Sequence, residues 1–290
     1  MNLVQILILG LLLGGVYALM ASGLTLLFGV MRIVNLAHGV FMVIAAYIAF
    51  FLFTELGIDP FVSLVVTMPS MFLFGVFVYR LLFTRIDDND RYSEMTVLLT
   101  FGLALVIEGL LGYFFTGIFR STNPGYATDS FLIGDLFVPK GQLYGALASL
   151  VLLVGLWAFL GLTKTGHAIQ AITQNRTAAQ IVGVNVRRVS TISFGIGMAL
   201  AGAAGSLLSY LFTFFPGQHW QWIALLLSLI VLGGLGSLKG AVVGSLLLAV
   251  LSAFVSNFLG STWSPMTFYL ALFVILLIRP QGLFGEKETV

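Results

Sequence analysis

Residues 164–190 read KTGHAIQAITQNRTAAQIVGVNVRRVS, and their interpretation decides what kind of molecule the rest of the chain builds. The stretch carries Lys164, His167, Arg176, Arg187 and Arg188 and no acid, within an otherwise mostly apolar sequence. Ala168, Ala171 with Ile172, Ala178 with Ala179, and Val182 recur at three-to-four spacing. That periodicity predicts a short amphipathic helix between Gly166 and Gly183. Five apolar runs precede it and about four follow. A basic helix with one apolar stripe, held between two membrane bundles, either lies on the membrane surface or docks into a groove on a partner.

Working outward, the 290 residues are 59% hydrophobic and only 8% charged, with a mean hydropathy of +1.08. Soluble domains carry about 25% charged residues, so the composition is that of a polytopic membrane protein embedded in a lipid bilayer. A net charge of +2 is too small to imply a nucleic-acid partner. The absence of cysteine excludes disulfides and cysteine-ligated metals or clusters. Residues 3–22 are apolar from the start, with no basic segment before them, and read as a retained first span.

A spanning helix needs about 20 predominantly apolar residues. Such runs fall near 3–29 (with a candidate break at Ser22–Gly23), 36–53, 61–83, 95–117, 142–162, 190–213, 219–237, 240–259 and 265–279. The expected fold is therefore an all-α polytopic transmembrane bundle of about nine spans, eight to ten, in a single domain over 1–290. Alternate loops differ sharply in basic residues. One set holds Arg32, Arg80, Arg85, Arg91, Lys164, Arg176, Arg187, Arg188, Lys239, Arg279 and Lys287; the other holds only Arg120 and Lys140. The positive-inside rule then puts the N-terminus outside, the C-terminus inside and 164–190 in the cytoplasm.

Small residues recur four apart in Gly10-Gly14-Ala18-Ser22, Gly197-Ala201-Gly205 and Gly236-Gly240-Gly244, the spacing that lets helices approach closely in lipid. Pro69, between Thr67 and Ser70, is expected to kink the third span, with the hydroxyls satisfying the freed carbonyls. The turn at 84–94 holds Asp87, Asp88 and Asp90 without the spacing of a calcium loop, and reads as solvated. Glu108 falls near the middle of the fourth span. Inserting it costs about 2.5–3.5 kcal/mol, less than the roughly 4–7 kcal/mol that the span's large apolar residues return, so the helix inserts with the acid turned inward. An intramembrane acid is a functional suspect as well as a hydrogen-bonded structural one. In the long loop 118–142, Phe131–Ile133 and Leu136–Val138 flank Gly134-Asp135 and predict a small hairpin near 131–138.

No nucleotide-binding, dinucleotide or zinc motif is present: the glycine-rich GGLGSLKG at 233–240 lacks the glycine and hydroxyl that flank a phosphate-loop lysine. No catalytic residue, cofactor or metal is expected. A transport bundle powered from elsewhere fits best. Beside it stands a stand-alone secondary transporter or channel for a small polar solute, such as urea or an amide, with Glu108 as its coupling residue.

The segments GLTLLFGVMRIVNLAHG at 23–39, AAY at 45–47, GGLGS at 233–237, GAVVG at 240–244 and RPQGLFG at 279–285 resemble the H-type permease subunit of bacterial branched-chain amino acid ABC importers. The resemblance covers essentially the whole chain. It implies an inner-membrane permease working with a second related permease, two cytoplasmic ATPases and a periplasmic binding protein. It also implies that 164–190 contacts an ATPase. The candidate coupling residues are Gly166, Ala168, Ala171, Ile172, Asn175, Arg176, Ala179 and Gly183: an apolar stripe of Ala168, Ala171, Ile172, Ala179 and Val182 is expected to insert into a groove on the ATPase, with Arg176 and Arg187 on the rim. The family pattern of Gly166, Ala171, Asn175, Ala179 and Gly183 is kept, whereas His167 and Gln170 stand where arginines are usual, Val40 where an acid commonly follows the His-Gly pair, and Lys239 where proline is common. Relatives in this family also carry urea and short amides. Arg32, Asn35 and His38, with Glu108, are candidates for a gate or a permease–permease contact.

Overall fold

The computed structural model describes residues 2–85 and 92–285. The acid-rich turn holding Asp87, Asp88, Asp90 and Arg91, and the tail with Lys287, lie outside the described residues. The first span is one unbroken helix, α1 (Leu3–Met31). The candidate break at Ser22–Gly23 does not occur, because the Ser22 hydroxyl is absorbed by the Leu19 carbonyl at 2.7 Å within the same helix. α2 (His38–Leu56), α3 (Pro60–Leu82) and α4 (Tyr92–Phe115) follow. α3 runs on through Pro69, and its Thr67 hydroxyl does not serve the freed carbonyl: it pairs with Ser206 across the bundle at 2.8 Å.

After α4 come a single turn, α5 (Gly125–Thr128), and the expected hairpin, β1 (Ser130–Ile133) with β2 (Leu136–Pro139), turning at Gly134 with φ +61°. Phe131 pairs with Val138, and the Phe137 backbone exchanges two hydrogen bonds with the Gln5 side chain, so the hairpin caps the start of α1. α6 (Lys140–Leu162) leads into the basic segment.

That segment is two helices, not one: α7 (Lys164–Gln174) and α8 (Arg176–Ile181). The break is Asn175, whose backbone is extended (φ −153°, ψ 105°) and whose Oδ1 accepts the Ala178 N–H at 2.9 Å. Asparagine competes with helix continuation by capping the next turn, which the apolar periodicity alone does not report. Gly166 is not the start of α7 either. Thr163 caps the helix by accepting the Gly166 N–H at 2.9 Å, and Gly166 packs where a Cβ would strike the Phe159 carbonyl. α9 (Val186–Leu211) begins four residues before its apolar run, capped by Asn185, so Arg187 and Arg188 stand in its first turn.

α10 (His219–Gly233), α11 (Leu238–Phe258) and α12 (Ser264–Ile278) complete the chain. Among the described residues eight helices are long and apolar enough to cross a membrane, counting the short 3-10 turn leading into α12. The expected seventh span, α10, has only 15 residues. At 1.5 Å per residue it reaches about 22 Å, short of a hydrocarbon core of about 30 Å.

α9 is the axis of the bundle, packed on α3, α2 and α1, while α11 lies along α1. The small residues explain these contacts. A Cβ at Gly10 would lie 2.7 Å from the Val250 Cα, one at Gly197 2.8 Å from the Leu27 side chain, and one at Gly205 would meet the Met42 carbonyl. In lipid, helices gain little hydrophobic drive to associate, so backbone approach of this kind supplies the packing attraction.

Candidate functional site

Two helices of this bundle begin inside it. After α1 ends, Arg32 adopts a left-handed conformation (φ 52°) and residues 33–37 run back without helix, buried at Ile33, Asn35 and Ala37. Non-helical backbone survives at membrane depth only where protein satisfies it. Here the Asn35 Oδ1 accepts the Ala37 N–H at 3.1 Å, and the Leu36 N–H donates to the Thr100 hydroxyl of α4 at 3.3 Å. After α9 ends, residues 212–218 leave the α-helix, the last three forming a 3-10 turn, and Phe214 exchanges backbone hydrogen bonds of 2.8 and 2.9 Å with Arg120. The Arg120 guanidinium lies 5.3–5.9 Å from the rings of Tyr47, Phe50, Phe51 and Phe115.

These returns bring the first turns of α2 and α10 together. A Cβ at Gly39 would stand 2.6 Å from the His219 carbonyl oxygen. From that contact α2 runs toward the hairpin side, where Asp59 accepts a bond from Tyr126, and α10 runs toward the basic side, where Gly236 packs on Gly29. Neither first turn is capped by a side chain of its own N-cap residue. Two helix N-termini, each carrying about half a positive charge, thus face one another within the bundle.

Glu108 reaches this junction. About two turns of α4 separate it from the helix end, and its Oε2 accepts from His219 Nε2 at 3.2 Å and from Trp220 Nε1 at 3.1 Å. His219 is fully buried, whereas the Glu108 side chain keeps 29% of its exposure. An acid at the first turn of α10 complements the helix dipole. Of the four suspects near the first spans, Glu108 therefore stands with His219 and Trp220, not with the other three. Arg32 is exposed, Asn35 is buried in the return, and His38 is buried against α1, its Cε1 3.1 Å from where a Gly23 Cβ would be. His219 and Trp220 were not singled out from the sequence. The signal available was FPGQHWQW at 215–222, a Pro-Gly turn followed by a polar and aromatic cluster where an apolar span should start.

The basic segment forms a second candidate site, and most of its apolar stripe packs against the chain itself, while Ala178 and Val182 stay exposed. Ile169, Ile172 and Ala179 are packed into the chain's own core, with Ala168 and Ala171 half-buried beside them. A stripe between two bundles is covered by the nearer apolar surface, here the ends of the chain's own helices. What projects is Ile181 and Val182, 81% and 78% exposed, ahead of Gly183 at φ +89°, together with Lys164, Asn175, Arg187 and Arg188; Arg176 is half-buried. His167 Nδ1 lies 2.9 Å from the Thr163 carbonyl, and Gln170 Nε2 donates to the Leu160 carbonyl at 3.0 Å, tying α7 to the end of α6. Among the described residues no three His, Cys, Asp or Glu side chains gather as a metal site.

Residues 6–278 match the family model described as the permease component of the branched-chain amino acid transport system. The chain belongs to this family. The permease is 27% identical to the high-affinity branched-chain amino acid transport system permease protein BraD of Pseudomonas aeruginosa, over 98% of this chain and 96% of that one. It is 28% identical to a probable LivH permease of Methanocaldococcus jannaschii, over 92% and 88%. A LivM permease of Salmonella typhimurium is 25% identical over 92% of this chain and 67% of its own. Among solved structures, PsaBC from Streptococcus pneumoniae in complex with Fab aligns with a TM-score of 0.49 at 13% identity, covering 97% and 93%.

Proposed function

We propose that this permease is the transmembrane subunit of an ATP-driven importer and forms the path for branched-chain or similar small amino acids by alternating access. The observation that carries the reading is the family match over residues 6–278, joined by relatives whose names specify branched-chain amino acid transport. ATP hydrolysis belongs to separate subunits. The partner set is a second related permease in a heterodimer, two ATPases and a periplasmic binding protein; the relatives include both LivH and LivM permeases. The whole chain, 1–290, acts as one permease domain, with the N-terminus outside and the C-terminus inside the bacterial inner membrane. The eleven-to-two division of basic residues supports that orientation. α10 counts as a ninth, partial span. A stand-alone secondary transporter is not favoured, because the family is defined as one component of a transport system.

In this reading 164–190 is the handle an ATPase grips. Gly166, Ala168, Ala171, Ile172 and Ala179 seat it on the bundle, Asn175 and Gly183 set its bends, and Ile181, Val182, Arg176 and Arg187 meet the partner. Closure of the ATPases then pulls on α6 and α9 and switches which side of the bundle is open. The test is the reconstituted importer carrying Ile181→Asp and Val182→Asp. Exposed substitutions cost within about 0.5 kcal/mol of fold stability, so the permease should melt normally while leucine uptake and stimulated ATP hydrolysis both collapse. Wild-type coupling in that double variant would refute the assignment.

A further inference from the structure

We propose that the permease binds its cargo inside the membrane, as a zwitterionic aliphatic α-amino acid, on a ledge made by Glu108, Gln218, Trp220, Gln221 and Phe101. Glu108 Oε1 accepts the α-ammonium, the free amide N–H groups of Gln221 donate to the carboxylate, and Phe101 with Trp220 carries the aliphatic side chain. The assignment rests on the importer reading above and adds to it a place and a chemistry of recognition.

Hydrogen-bond accounting is the first support. Both donors to Glu108, from His219 and Trp220, converge on Oε2, and among the described residues no hydrogen bond is made to Oε1. A carboxylate has room for about four such bonds. Gln218 donates Nε2 to the Gln221 Oε1 at 2.8 Å, which leaves the Gln221 Nε2 with both its protons and Gln218 with its carbonyl oxygen. His219 Nδ1, fully buried at the root of the ledge, has no hydrogen-bond partner among the described residues. The Glu108 oxygen and the Gln221 amide nitrogen are thus accessible to a polar occupant, whereas His219 Nδ1 is buried beyond its reach.

The second support is the direction the ledge faces. Phe101, Leu105, Glu108, Gly109 and Gly112 share one arc of α4 at helical spacing, bordering the buried arc of Thr100, Ala104 and Ile107. Phe101 and Leu105 are 42% and 46% exposed, and a Cβ at Gly109 or Gly112 would meet nothing. A half-filled carboxylate and two glutamines are not a surface for hydrocarbon. Ionisable groups at this depth face a bundle interior or a wet cavity, so this arc borders the path. The ledge also has an apolar bed of the right kind: the Phe101 and Trp220 rings lie 5.5 Å apart. The paired N-termini of α2 and α10 add positive potential suited to the carboxylate end.

The experiment uses the complete importer in proteoliposomes, with its partner permease, ATPases and binding protein, and follows leucine uptake, stimulated ATP hydrolysis and thermal melting. Breaking a desolvated charge contact costs tenfold or more, so Glu108→Gln should lower uptake about tenfold while stimulated hydrolysis stays within about twofold. Glu108→Asp should recover part of the loss. Gly217→Ala keeps the charge but places a methyl 3.3 Å from Glu108 Oε1, and should also lower uptake. Wild-type uptake by Glu108→Gln would overturn the ledge and leave the importer reading intact. Joint loss of uptake, hydrolysis and thermal stability in every Glu108 variant would mark a purely structural acid and overturn it too. Wild-type proteoliposomes that accumulate leucine without ATP would refute the importer reading itself, and the assignment with it.

Discussion

His219 Nε2 lies 3.2 Å from Glu108 Oε2, and this bond joins the first residue of α10 to the interior of α4. α4 also meets the bundle along its buried arc of Thr96, Thr100, Ala104, Ile107 and Leu111, through Phe101 against Trp220 at 5.5 Å and through Phe115 stacked on Tyr47 at 4.5 Å. The Glu108 contact is thus the polar one among the attachments of the helix that borders the proposed path, joining it to the first turn of α10.

Trp220→Phe tests how much that attachment holds. The ring remains for Phe101, but the N–H to the carboxylate is lost. Hydrogen bonds to charged groups contribute about 1.5–3 kcal/mol; with Glu108 partly exposed the expected loss is at the lower end. A detergent melt should shift down accordingly, with Trp220→His milder than Trp220→Phe.

Two glycine substitutions should behave in opposite ways. At Gly205 a Cβ runs into the Met42 carbonyl and lies 2.6 Å from the Ala45 Cβ, so Gly205→Ala forces α9 off α2 at a cost of about 1–3 kcal/mol. At Gly109 a Cβ meets nothing, and Gly109→Ala gains up to about 1 kcal/mol of helix propensity. Equal melting shifts in the same direction would contradict the packing described.

Asn175→Ala removes the cap of α8 and should cost about 1 kcal/mol. It also frees α7 and α8 to join, moving Ile181 and Val182. Spin-label distances between positions 167 and 181 should lengthen in the variant. Asn175→Asp, which keeps the acceptor, should hold the wild-type distance.

Tyr126, in the loop on the hairpin side, is pushed above the usual phenol range by burial first and by Asp59 second, to whose Oδ1 it donates at 3.1 Å. The folded state holds this proton more tightly than the unfolded chain. Its contribution is therefore complete below the ordinary tyrosine value of about 10 and is lost as pH rises above it. Melts from pH 9 to 11 should fall more steeply for the wild type than for Tyr126→Phe, which starts lower by about 1 kcal/mol for the lost bond.

Much of this architecture is legible before any coordinates. Hydropathy located every long helix to within a few residues, because a segment that cannot satisfy its backbone in lipid must form a helix about 20 residues long. Gly134-Asp135 announced the hairpin. The stretch at 164–190 is visible as basic and amphipathic, but its apolar stripe has no owner in the sequence, since periodicity identifies a face to be covered and not what covers it.

Local pattern therefore sufficed for the helices, their basic side and the family resemblance, each a property of residues near one another in the chain. Three-dimensional packing alone decided that α2 and α10 start against each other, that Glu108 finds His219 across 111 positions, and that Ile172 and Ala179 turn inward while Ile181 and Val182 project. These are matters of which surfaces meet, settled by backbone approach at glycines and by the need to satisfy buried polar groups, and neither is written in the order of residues along a single helix.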